Sequence, residues 1–369
     1  MFNPTVLDQR NEISKIDIDN MLGICTKTPD FCRDAITRAA KVKIPYKSPR
    51  NIIVVGMGGS AIGGDLVKDW LSDRASIPIE VCRDYVVPAY ANKNSVVVAV
   101  SYSGETEETL TAFFDAVNRG CMVIAVSSGG HLQAFSRKLE IPFISIPPGF
   151  PPRAAIAYTF FSLVALMEKV HVFEAAHGEV EETLRVLQKV RDANRLEVPL
   201  RKNTAKKLAH EIQGTIPVVY GFRQYRAVAR RLKCQFNENS KAPSKFDSFP
   251  ELNHNEIVGW EAPKSLTTPF SVILLRDPEE PPPLKNRIEI TKKILLPKAC
   301  KVLEITAVGK HNLAKMLSAM YIGDFASIYL ALLRGVDPTP TKTISRLKLE
   351  MKRKLDMTTK FEEEMKRVK

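Results

Sequence analysis

Eight short apolar runs, each bounded by turns, leave this chain few folds to choose from. The first five are NIIVVG (51–56), IPIEVC (77–82), SVVVAVS (95–101), MVIAVS (122–127) and FISIP (143–147). They are continuous rather than alternating, as strands buried on both faces are. Helical segments at Ile62–Leu71, Glu105–Asn118 and His131–Lys138 separate most of them. Strand, helix, strand at this spacing predicts a parallel sheet with helices on both faces.

The stretch PPGFPPRAA (147–155) interrupts the pattern with four prolines. Ala154–Ala176 and Glu179–Leu196 then read as two long helices. The alternation resumes with IPVVYG (216–221), FSVILL (270–275) and CKVLEIT (300–306), with helices at Arg226–Asn239, Asn286–Leu295 and Leu313–Leu333. At 369 residues the chain exceeds one typical core. The expected architecture is α/β, in two domains that each hold a parallel sheet of about five strands. The boundaries read as a helical lead-in (1–45), a first domain (46–150), a helical bridge (151–200), a second domain (201–340) and a charged tail (341–369).

Composition narrows the class. Hydrophobic residues at 44% and charged residues at 26% fit a soluble globular protein. The apolar stretch Ala154–Met167, at 14 residues, is short of the roughly 20 that span a bilayer. The first residues contain no apolar signal region, and the six cysteines are scattered with no C-x-x-C pair. Both features point to a cytoplasmic protein with reduced thiols and no membrane partner. The six histidines show no metal-binding spacing. The net charge of +13 is diffuse rather than gathered in runs, which favours anionic metabolites over nucleic acid.

Two glycine- and hydroxyl-rich loops carry the chemistry. In NIIVVGMGGSAIGGD (51–65), Gly56, Gly58 and Ala61 satisfy the dinucleotide fingerprint, while Ser60 could hold a small free phosphate. Asp84 could serve the ribose of a nicotinamide cofactor, at a long 28-residue distance from Gly56. The second loop, SVVVAVSYSGETEETL, sets Ser101, Ser103 and Thr106 at the start of a helix. A helix N-terminus offers unpaired N–H groups and a positive dipole end. Three hydroxyls there suit the three oxygens of a phosphate monoester, whereas a helix cap needs one. A nicotinamide enzyme leaves this cluster unexplained.

GMGGSAIGGD followed by SYSGETEET resembles the sugar isomerase (SIS) domain, which binds phosphosugars. PPRAA (151–155), QFNENSKAP (235–243), ELNHNEIVGW (251–260) and DPTPTKTISRLK (337–348) narrow the likeness. Together they are similar to the bifunctional phosphoglucose/phosphomannose isomerase family of archaea and some bacteria, over residues 45 to 348.

The resemblance implies isomerisation of glucose 6-phosphate and mannose 6-phosphate to fructose 6-phosphate, in a homodimer with no cofactor or metal. Such a reaction needs a carboxylate base, a ring-opening acid/base and a cation near the enediolate. By resemblance Glu238 is the base and His254, from the neighbouring subunit, opens the ring. Arg153 faces the enediolate oxygen, and Glu256 could orient His254. Thr341 and Lys348, with Lys342 as an alternative lysine, match the residues assigned to ring opening and the substrate hydroxyls. Gly59 and Ser60 face the sugar; Ser101, Ser103 and Thr106 hold its phosphate. Two rivals remain at this point: a non-catalytic phosphosugar-binding regulator and an NAD(P)-dependent oxidoreductase.

Overall fold

A computed structural model describes residues 4–174, 177–354 and 357–367. The chain divides into two compact units, 30–175 with 341–369, and 1–29 with 176–340. The division does not follow chain order, so the lead-in and the tail are not separate segments.

In the first unit, β1 (Asn51–Val55), β2 (Ile79–Cys82), β3 (Ser95–Val100), β4 (Met122–Ser127) and β5 (Phe143–Ser145) form one parallel sheet in the order β2-β1-β3-β4-β5. Every residue of the central β3 is buried, which is why the sequence runs without polar alternation there. The helices Gly58–Trp70, Glu107–Asn118 and Gly130–Lys138 follow β1, β3 and β4. The long helix expected from Ala154 is shorter: Pro152–Ala155 form a 3₁₀ turn and the α-helix runs Ile156–Lys169. Its expected end, Ala176, lies outside the described residues.

The charged tail forms the helices Lys342–Lys354 and Met357–Arg367. Phe361 and Met365, four apart and hence on one face, join the core beside Phe114. The Phe361 and Phe114 rings stack at 6.1 Å. Removing a buried Phe side chain costs about 3–5 kcal/mol. Phe361→Ala is therefore expected to undock this helix, seen as faster protease cleavage within it and a lowered melting temperature.

The second unit holds β6 (Ile216–Phe222), β7 (Lys245–Phe249), β8 (Phe270–Arg276) and β9 (Lys301–Thr306) in a parallel sheet ordered β7-β6-β8-β9. Four strands among the described residues replace the expected five, and β7 was not foreseen. The helix Asn312–Leu333 is long and apolar enough to cross a bilayer, but it is a core helix, buried along its most apolar window. Tyr321 on it donates to the Cys25 carbonyl at 2.7 Å, which anchors the start of the chain in this unit. Asp34, further along the lead-in, instead accepts from Tyr158 in the first unit, at 3.0 Å.

Candidate functional site

The first unit brings six of the candidate residues together: Gly59, Ser60, Ser101, Ser103, Thr106 and Arg153. Both loops sit where strands β1 and β3 end, so the parallel sheet presents them side by side. The Tyr102 amide donates to Ser60 Oγ at 3.2 Å and joins the two loops directly. Gly59 lies against the turn that carries Arg153. A Cβ on Gly59 would sit 3.0 Å from the Pro152 carbonyl and 3.1 Å from Arg153 Cα, so a larger residue would push that turn away. Arg153 itself is 4% exposed.

The hydroxyl loop is not a simple cap. Thr106 occupies the N-cap position of Glu107–Asn118 without a side-chain cap hydrogen bond. Buried Ser101 donates instead to Thr106 Oγ1 at 2.9 Å, and Ser103 Oγ accepts from the Glu105 amide at 3.2 Å. The first amides of the helix are therefore left to another acceptor. Gly104, at φ +71°, fixes the loop: a Cβ there would lie 1.9 Å from the Gly129 carbonyl. Glu105 braces the far side, accepting from the His131 amide at 2.9 Å and contacting His131 Nδ1 at 2.6 Å.

Sequence reasoning missed Tyr102. Its phenol donates to the Pro147 carbonyl at 3.1 Å and accepts from the Phe150 amide at 2.8 Å, tying the hydroxyl loop to the proline stretch before Arg153. An aromatic between two serines gives no spacing signal for bonds made 45 and 48 residues away.

The second unit holds Glu238 and His254, and its topology separates them. The helix Arg226–Glu238 connects two parallel strands, so it runs back and leaves Glu238 at the amino end of β7. His254 closes a 3₁₀ turn beyond the carboxyl end of the same strand. The five residues of β7 span about 16 Å at roughly 3.3 Å each. Glu238 is half-buried, and polar bonds fix its helix end: Asn239 donates to Ser327 Oγ at 2.9 Å and Ser240 to the Ser327 carbonyl at 2.6 Å. One and two turns earlier, Gln235 and Arg231 bind the buried Asp324.

His254 is exposed, and its loop is pinned from beneath. Tyr220 on β6 donates to Glu256 Oε1 at 3.1 Å and accepts from Trp260 Nε1 at 3.0 Å. Burial, and then the Glu256 carboxylate, hold the Tyr220 phenol far above its usual range, so it is a donor at neutral pH. Glu251 accepts from Asn255 at 2.7 Å.

Thr341 precedes the helix Lys342–Lys354, and its carbonyl accepts from the Ser345 amide at 3.0 Å. That bond places Thr341 in helical register. Lys348, seven residues on, then shares its face, whereas Lys342 points about 100° away. Asp84, the residue a nicotinamide reading needs, is exposed and accepts its neighbour's amide at 2.6 Å.

A family profile described as the bacterial phospho-glucose isomerase C-terminal SIS domain matches residues 201–351. A bifunctional phosphoglucose/phosphomannose isomerase from Caldicellulosiruptor bescii is 41% identical over 314 residues, covering 85% of this chain and 93% of that one. Its counterpart from Aquifex aeolicus is 35% identical over 317 residues, with the same coverage of 85% and 93%. A glucose-6-phosphate isomerase like protein from Thermus thermophilus shares the fold, with a TM-score of 0.62 at 20% identity over 92% of this chain and 98% of that one. The two paired loops and the near full-length similarity agree: this chain belongs to the bifunctional phosphoglucose/phosphomannose isomerase family.

Proposed function

We propose that this protein interconverts glucose 6-phosphate and mannose 6-phosphate with fructose 6-phosphate, by ring opening and proton transfer through a cis-enediolate. The observation that carries this reading is the uncapped helix start at Thr106, whose hydroxyl accepts from the buried Ser101. It is a ready-made seat for a phosphate monoester. Ser101, Ser103 and Thr106 hold the phosphate there, with Gly59 and Ser60 against the sugar. The buried Arg153 guanidinium stabilises the enediolate oxygen. Glu238 takes the C2 proton and returns it at C1. Thr341 and Lys348 contact the sugar hydroxyls and assist ring opening.

His254 acts as the ring-opening group from the partner subunit of a homodimer. The supporting observation is that Glu238 and His254 lie beyond opposite ends of β7 in the same chain. We read the protein as cytoplasmic, with a reaction that needs neither metal nor nucleotide.

Purified protein is expected to equilibrate both hexose 6-phosphates with fructose 6-phosphate in EDTA without added NAD(P), followed directly by NMR of the sugars. Micromolar NADP binding by calorimetry with no isomerisation would replace this reading with the oxidoreductase one.

A further inference from the structure

Lys241 stands three residues after Glu238 and has an unusual environment. Its ammonium, with three N–H donors to share, lies within hydrogen-bond distance of four main-chain carbonyls: Glu238 at 2.9 Å, Asn239 at 3.3 Å, Asp337 at 2.8 Å and Pro338 at 3.1 Å. Its backbone is left-handed, at φ +51°. Just past a helix end that conformation is usually given to glycine, because a side chain is strained there. What sets this lysine apart from a glycine here is the set of contacts its side chain makes.

A lysine that merely capped the helix would serve the carbonyls of the helix end. Here half the bonds reach a segment 96 and 97 residues away, the DPTP turn that leads directly into Thr341. One clamped segment carries the proposed base, and the other, Asp337–Pro338, comes shortly before Thr341 in the sequence.

We propose that Lys241 is a positioning residue for the proton transfer, locking the Glu238 end of the helix against the Asp337–Pro338 turn. The inference rests on Glu238 being the base. A small displacement of a base from its carbon acid costs rate steeply. It costs less in binding, because the phosphate is held elsewhere in the chain.

The test uses Lys241→Met, which keeps the stem and removes the donors. The expected result is a kcat lower by about 10- to 100-fold with KM within roughly twofold, and a parallel loss of C2-proton exchange. In a Glu238→Gln background the same substitution should cost less than about twofold, since it acts through that carboxylate. Should Lys241→Met fail to fold, Lys241→Gln carries the same expectation with a kcat loss of at least about fivefold. A wild-type kcat in a folded Lys241 variant overturns the proposal. So does a full additional loss in the Glu238→Gln background, which would mean that Lys241 acts elsewhere. If Glu238→Gln alone exchanges the C2 proton at the wild-type rate, the base assignment has failed, and the clamp loses its purpose with it.

Discussion

Glu238→Gln is expected to lower kcat by about 10²–10⁴-fold, the contribution of a positioned side-chain base. That range corresponds to roughly 3–5 kcal/mol of barrier, at about 1.4 kcal/mol per decade. The amide keeps the shape of the carboxylate, but it cannot take a proton from C2. The helix end should stay in place, because Asn239, Ser240 and Lys241 hold it through bonds that do not use the Glu238 side chain. Substrate binding should therefore survive, as should binding of 5-phosphoarabinonate, which mimics the enediolate. The measurement is exchange of the C2 proton with deuterated solvent, followed by NMR. Exchange at the wild-type rate would show that another group is the base. Glu256 and Glu251 would be tested next. Both lie with His254 beyond the carboxyl end of β7, so a base there would move the proton transfer to the opposite end of that sheet.

What could be read from the sequence depended on how local the deciding interaction is. The buried strands were legible because burial on both faces leaves an unbroken apolar run, as VVVAV in β3 does. β7 was not, because KFDSF is an edge strand with Phe249 as its one fully buried residue. The docked tail helix was hidden for a related reason. Phe361 and Met365 are two apolar residues among many charges, and their burial depends on a surface at Phe114, far back in the chain. The hydroxyl loop was legible since Ser101, Ser103 and Thr106 fall within six residues. The braces around the candidate residues were not: Tyr102 to Pro147, Tyr220 to Glu256 and Lys241 to Asp337 span 45, 36 and 96 residues. The separation of Glu238 from His254 likewise follows from strand direction, which sixteen residues of sequence do not reveal.

Ser101→Ala combined with Thr106→Ala is expected to raise KM for hexose 6-phosphates by about 10²–10⁴-fold. Each charge-assisted hydrogen bond to a phosphate oxygen contributes roughly 1.5–3 kcal/mol, and two are removed. The double variant is the informative one because the two hydroxyls satisfy each other in the free protein. Removing one leaves the other without its partner. Removing both takes out donor and acceptor together, which a fold tolerates far better. Of the remaining bonds of the pair, the Thr106 amide to Ser101 Oγ is long, at 3.4 Å, so its loss should cost little. The loop itself is held by other groups, through Gly104 packed on Gly129 and through Glu105 on His131. Melting temperature should accordingly change little while KM rises. The decisive control is a sugar without the phosphate. Its kcat/KM, however low, should be the same in the double variant and the wild type, since the deleted hydroxyls never touch it. An unchanged KM for the phosphorylated substrate in a folded double variant would remove the phosphate seat from this loop. An equal loss on both sugars would mean that the pair supports the architecture of the site rather than the anion.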